Sequence, residues 1–219
     1  MDVRLLQLAS PSLPVGAYSY SQGLEAAVEA GIVHDAPSAL AWIGDVLAIS
    51  VQCMEAPIFL RLAAAWNSGD VGAARKWNEE FVASRETAEL RAETLQMGYS
   101  MRALLDSLAI DGVEALRAFE ELAYPTAFAL AVAAWKIDAR EALGAYLFAW
   151  IENQVLASLK CVPLGQTDGQ RILLELAQRI PRAVESAAAL GDDELASLAP
   201  GLALLSARHE TQYSRIFRS

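Results

Sequence analysis

Two serines alternate with two tyrosines in Tyr18-Ser19-Tyr20-Ser21, which runs into Gln22 inside the segment SLPVGAYSYSQGLE, residues 12–25. A serine becomes a nucleophile when a base takes its proton. A glycine-rich turn can cradle phosphate through its backbone amides. Neither chemistry finds its spacing here. A nucleophile elbow requires G-x-S-x-G, whereas the chain reads Ala17-Tyr18-Ser19-Tyr20-Ser21 around one serine and Ser19-Tyr20-Ser21-Gln22-Gly23 around the other. A nucleotide-binding loop requires G-x-x-x-x-G-K-[ST]. The nearest stretch, Gly165-Gln166-Thr167-Asp168-Gly169-Gln170-Arg171, has a different spacing and no Lys-Ser/Thr pair. Ser19 or Ser21 is then expected to cap the helix that carries Leu24 and Val28, leaving Tyr18 and Tyr20 as amphipathic rings able to anchor a partner. A serine hydrolase built on Ser19 or Ser21 is the enzymatic alternative, and His34 and His209 are the only histidines that could serve as its base.

Metal chemistry is equally sparse. The two histidines stand at opposite ends of the chain, and Cys53 and Cys161 are isolated, whereas a dedicated site wants ligands clustered at short spacing. A transient metal site shared across a subunit interface stays open. Three polar groups carry more information. In ASRETAELRAE, residues 83–93, Arg85 and Glu89 are spaced as a favourable i,i+4 pair, with Glu86 between them and Glu93 one turn further. In AWIENQVLASLKCVPLGQTDGQR, residues 149–171, Glu152, Asn153 and Gln154 interrupt an apolar helix, and Asn153 and Lys160 lie two turns apart on one face. Gln166 and Gln170 add amides after the break. Three consecutive polar residues in such a helix are either hydrogen-bonded inside or exposed for a partner. In SARHETQYSRIFRS, residues 206–219, Arg208, His209, Glu210, Tyr213, Arg215, Phe217 and Arg218 mix cations with aromatics, the residue types that dominate protein interfaces.

The elements that must position these groups are helices. Alanine and leucine supply about a third of the residues, far above ordinary usage, and both lose little freedom in a helix. The 219 residues predict one domain, all-α, with roughly ten helices in a compact unit spanning 1–219, opened by a loop over 1–23 and closed by a tail over 206–219. Asp35 and Pro37 signal a helix start, Pro57 a break or kink, Asp70 a cap, Ser84 an interruption, and Asp138 a further cap before a helix reaching Lys160. Pro163 forces a stop, and Pro181 divides the helical stretch beyond it. A formal charge of −10 excludes wrapping nucleic acid. The longest mostly apolar run without a charge, 122–135, is too short for a membrane span and contains Pro125. With Asp2 near Arg4 and no basic-then-apolar opening, the expectation is a cytoplasmic protein with reduced thiols.

Taken in order, SPSLPVGAYSYSQGLE, ASRETAELRAE, YPTAFALA, IENQVLASLKCVPLGQTDGQR and APGLALLSARHETQYSRIFRS resemble the signatures of UreF, an accessory protein in assembly of the urease nickel centre. The resemblance runs nearly end to end. One departure is Ala17, where family members often carry a second glycine. The resemblance implies an all-α homodimer that is not an enzyme and binds no cofactor itself, with nickel and GTP handled by the complex. Its implied partners are UreD (also called UreH), the GTPase UreG and the urease apoprotein; a helical nickel-binding chaperone is the second alternative. Carried over by motif, Tyr18, Ser19, Tyr20, Ser21, Gln22, Arg85, Glu86, Glu89 and Lys160 would face the GTPase. Arg208, His209, Glu210, Tyr213, Arg215, Phe217 and Arg218 would order against UreD.

Overall fold

The computed structural model describes residues 2–219, and among them the regular structure is entirely helical. After the short helix α1 (Val3–Leu8) and α2 (Leu24–Glu29), one continuous helical run extends from Ala36 to Ser68. Asp35 starts it as expected: its carboxylate accepts from Ser38 N, Ser38 Oγ returns the contact, and Pro37 occupies the first turn. The run comprises α3 (Ala36–Val46), a π-helical stretch (Leu47–Glu55) and α4 (Ala56–Ser68). Pro57 was expected to break or kink it. Instead the wider π turns run directly into α4, with Ala56 N bonding back to Val51 O, and Pro57 takes a first-turn position where a missing N–H matters least.

Gly69, at a φ of 71°, ends α4 in the left-handed conformation, and Asp70 caps α5 (Val71–Ala83). Thr87 then caps α6 (Ala88–Ser107). The all-apolar α7 (Tyr124–Ala134) fills the centre between α4 and α6, with Ala127, Phe128, Ala129, Ala131 and Val132 fully enclosed. Asn78 fixes where α7 begins. Its side chain donates to Glu121 O at 2.7 Å and accepts from Ala123 N at 2.9 Å and Thr126 Oγ1 at 2.8 Å. Gly98 of α6 passes so close to this entry that an added Cβ would fall 2.0 Å from Leu122 O.

Asp138 caps α8 (Ala139–Cys161), the longest single α-helix, through the amides of Arg140 and Glu141. It ends at Val162-Pro163, and α9 (Gln166–Ala177) and α10 (Ile180–Ala189) follow, divided just before Pro181. The extended segment 195–199 crosses the π stretch, where Ala196 N reaches Cys53 O and Leu198 N reaches Ile49 O. Last comes α11 (Pro200–His209), leading into a strap, residues 210–219, that returns across the protein. The helical run 36–68 is long and apolar enough to cross a membrane, and two-thirds of its most apolar window (67%) is buried inside this fold, as a core helix would be. Cys53 and Cys161 are unpaired, and burial pushes the Cys161 thiol up to about 11.

Candidate functional site

The segment read as an N-terminal loop over 1–23 contains α1 and a single 3-10 turn, Ala17–Ser19, entered from Gly16 at a φ of 80°. Beyond that turn the two tyrosines part. Tyr18 is 61% exposed, whereas Tyr20 is buried. Burial, and then the Glu93 carboxylate, push the Tyr20 phenol up, with Arg218 opposing. Gln22 holds a left-handed backbone, φ 52°, that side chains other than glycine rarely adopt. Two side-chain bonds hold it there: Trp150 Nε1 donates to its Oε1 at 2.7 Å, and its Nε2 donates to Glu93 Oε1 at 2.6 Å. Ser21 is the serine at the helix start, accepting from Glu25 N at 3.2 Å while its own hydroxyl donates to Ser219 O at 2.5 Å. With that hydroxyl so committed and fully enclosed, Ser21 is a structural serine rather than a nucleophile.

The strap lies along this loop. Arg218 N donates to Ser19 O at 2.8 Å, and Ser21 N to Ser219 O at 2.7 Å. Beneath them Glu25, itself buried, accepts from Ile216 N at 2.8 Å and from Phe217 N at 2.9 Å. Its second oxygen also meets His209 Nε2 at 3.1 Å, and His209 Nδ1 meets Glu89 Oε2 at 2.8 Å. Both ring nitrogens thus face carboxylate oxygens, so the imidazole bridges α2 and α6. Arg215 completes the chain on Glu89 Oε1 at 2.8 Å. Ser219 Oγ donates to Glu93 Oε2 at 3.0 Å. One face of α8 supports both pieces: Asn153 donates to Tyr20 O at 3.1 Å, and the Lys160 ammonium sits 5.1 Å above the Phe217 ring. The shared face expected for Asn153 and Lys160 is therefore present.

A cavity of about 70 Å³ lies under the loop, lined by Gln22, Glu55, Arg85, Glu93, Tyr124 and Tyr146 among others. The π stretch delivers Glu55 into it, where Tyr146 donates to one carboxylate oxygen and Arg85 pairs with the other at 3.4 Å. Burial and the Glu55 charge push both the Tyr146 and Tyr124 phenols up. Burial likewise drives the Glu93 carboxyl to about 7, with the hydrogen bonds from Gln22 and Ser219 acting against it.

Several sequence expectations change. Arg85 and Glu89 do not form a helical i,i+4 pair, because Arg85 stands in the turn before Thr87 and points inward to Glu55, while Glu89 serves His209 and Arg215. Glu86 is exposed in that same turn. The polar group 152–154 with Gln166 and Gln170 is not one network. Successive helical residues are turned by about 100°, so Asn153 meets the loop, Gln154 is buried with its Nε2 unpartnered, and Glu152 lines a second cleft beside Tyr18. Gln166 and Gln170 are exposed on α9. The tail expected to order against UreD also lies along its own chain, with His209 and Phe217 enclosed and Arg208, Glu210, Tyr213, Arg215 and Arg218 exposed. Of the acids around which the site is built, Glu25 and Glu55 were not singled out from sequence, and Glu93 was noted only as a helical neighbour of Glu89. Each interrupts an apolar helical stripe, as Glu93 does between Leu90 and Met97.

Residues 33–177 match the family model described as UreF. A protein named urease accessory protein UreF from Azoarcus sp. (strain BH72) is 55% identical, the alignment covering 99% of this chain and 95% of that protein. Proteins of the same name from Dechloromonas aromatica (strain RCB) and Methylobacillus flagellatus are 53% and 50% identical, each over 99% of this chain and over 96% and 97% of their own lengths.

Proposed function

The chain belongs to the UreF family of urease accessory proteins, and we propose that it works in the cytoplasm as a non-enzymatic bridge between UreD/UreH and the GTPase UreG. In this reading the chain acts as a homodimer and docks with them on the urease apoprotein. GTP hydrolysis by UreG is then coupled to nickel insertion, with both ligands handled by the complex rather than by this chain. The observation that carries the proposal is the division of labour within one short loop. Tyr20, Ser21 and Gln22 are tied down from below, and that rigid base presents Tyr18 to solvent. An exposed aromatic on a preorganised turn loses little freedom when a partner covers it.

The strap supplies the coupling. Tyr213, Arg215 and Arg218 project from a segment whose other side fastens the loop, and Arg208 is exposed on α11 just before it. A protein that clasps the exposed side of the strap restricts its opening and so restricts the loop, making the second docking event less costly in entropy. UreD first and UreG second is the order this favours.

Copurification of UreG and UreD with wild type, Tyr18→Ala and Lys160→Glu tests the proposal. Tyr18→Ala should lower UreG affinity by roughly ten-fold or more, the loss expected of an interface aromatic, while melting at the wild-type temperature. Equal UreG capture by wild type and Tyr18→Ala would remove the loop from the interface. Equal UreG affinity with and without UreD would remove the coupling.

A further inference from the structure

Three carboxylates meet at the joint between loop and strap, Glu25 and Glu93 buried and Glu89 partly exposed, and they are not equivalent. Glu25 has His209 and two backbone amides. Glu89 has His209 and Arg215. Glu93 has only neutral donors, Gln22 Nε2 from the loop and Ser219 Oγ from the strap. Arg85, which lines the same cavity, forms its ion pair with Glu55. Among the described residues, then, Glu93 is the carboxylate at this joint with no arginine, lysine or histidine nitrogen at ion-pair distance. A buried acid in that position is stabilised by holding its proton, and it is relieved by water if it loses it.

The groups around it come from every neighbouring element. Glu55 from the π stretch adds negative charge, and Arg85 from the α5–α6 turn adds positive charge. Tyr20 faces it from the loop, with Arg218 of the strap beside that phenol. Tyr124 and Tyr146 share the cavity from α7 and α8, and Glu89 lies one turn earlier on α6.

We infer that Glu93 is a positioning residue that joins strap to loop under proton control. Protonated, it lets both stay seated over a neutral contact. Ionised, with its proton released to solvent, it favours a state in which the strap lifts and water reaches the carboxylate. The inference rests on reading the loop as a docking surface, because seating of Gln22 is what the strap would regulate.

The sign is set by linkage. Seated, the Glu93 carboxyl sits at about 7; hydrated in the lifted state, it returns toward 4.5. The lifted state therefore binds fewer protons between those values, and the strap loosens as pH rises through that window. The opening constant should rise roughly 40-fold between pH 5 and pH 7 and level off above.

Hydrogen exchange of residues 211–219 in the isolated full chain, corrected for the chemical rate at each pH, reads this directly. Wild type should lose protection by roughly that factor, and Glu93→Gln should show a flat profile. A flat wild-type profile, or a Glu93→Gln profile with the same slope, overturns the inference. Should Glu93→Gln fail to fold, carboxyl-carbon NMR of 13C-glutamate wild type decides: one glutamate must titrate near neutrality, and none doing so overturns it equally. These measurements contain no UreG. A lost docking role for Tyr18 and a lost switch at Glu93 are therefore separate outcomes.

Discussion

Replacing Glu25 with glutamine should detach the strap while leaving the helical body intact. The wild-type carboxylate accepts from Ile216 N, Phe217 N and, at 3.5 Å, Gln212 Nε2, and it meets His209 Nε2. Glutamine turns one of its oxygens into an NH2 group, which must face a donor whichever way the amide is flipped. At least one strap amide then loses its acceptor, and the other exchanges a charged acceptor for a neutral one. Hydrogen bonds to a charged group contribute about 1.5–3 kcal/mol each, so the change removes about 3 kcal/mol of strap attachment. At about 1.4 kcal/mol per factor of ten, strap opening should become roughly 100-fold more frequent. The remaining fastenings include the Ser19–Arg218 and Ser21–Ser219 bonds, the Arg215–Glu89 ion pair, the Ser219–Glu93 bond and the buried Phe217 ring. The assay is hydrogen exchange over 211–219 together with trypsin cleavage after Arg215 and Arg218, and a circular-dichroism melt checks the body. Strap protection within three-fold of wild type in a folded Glu25→Gln protein would refute the reasoning, because it would mean that Glu25 is not what holds the strap.

Two further substitutions probe what positions the site. Gly98→Ala should destabilise by about 3 kcal/mol or more in urea unfolding, since its Cβ would meet the carbonyl of Leu122 rather than a yielding side chain; a change under about 1 kcal/mol would mean the α6–α7 approach is looser than described. Asn78→Ala leaves Ala123 N and Glu121 O without partners at the entry to α7. At about 1–3 kcal/mol for each buried unsatisfied group, a loss of about 3 kcal/mol is expected by the same measurement, and near-wild-type stability would show that water takes the asparagine's place.

The helical framework was legible because its signals are local. Asp35 with Pro37, Asp70 and Asp138 are caps whose partners stand two or three residues away, and all three cap as expected. Pro57 misled because its effect depends on the turns that precede it. Within an α-helix a proline clashes with the preceding turn, whereas the π stretch ahead of it removes that conflict. Nothing in the residues 47–55 announces a π-helix, since its extra width is set by packing, including the crossing segment 195–199 that bonds to the carbonyls of Ile49 and Cys53.

The candidate site was legible in its motifs but not in its wiring, and the reason is long-range pairing. Glu25 bonds to residues 184 to 192 positions away, and Glu93 to residues 71 and 126 positions away. A sequence pattern can show that an acid interrupts an apolar stripe, which says the carboxyl is enclosed, but not which donor encloses it. The tail illustrates the same limit from the other side. Its mixture of arginines and aromatics fits an interface, and the nearest interface turned out to lie on the chain itself. Reading such a segment as a surface for another protein or as an internal strap makes opposite demands on its residues. An internal strap needs backbone amides aimed at a buried acceptor; a docking surface needs side chains aimed at solvent. Residues 210–219 meet both demands at once, with Ile216 N and Phe217 N turned to Glu25 while Tyr213 and Arg218 face outward. That double commitment allows a partner gripping one side of the strap to stiffen the loop fastened to the other.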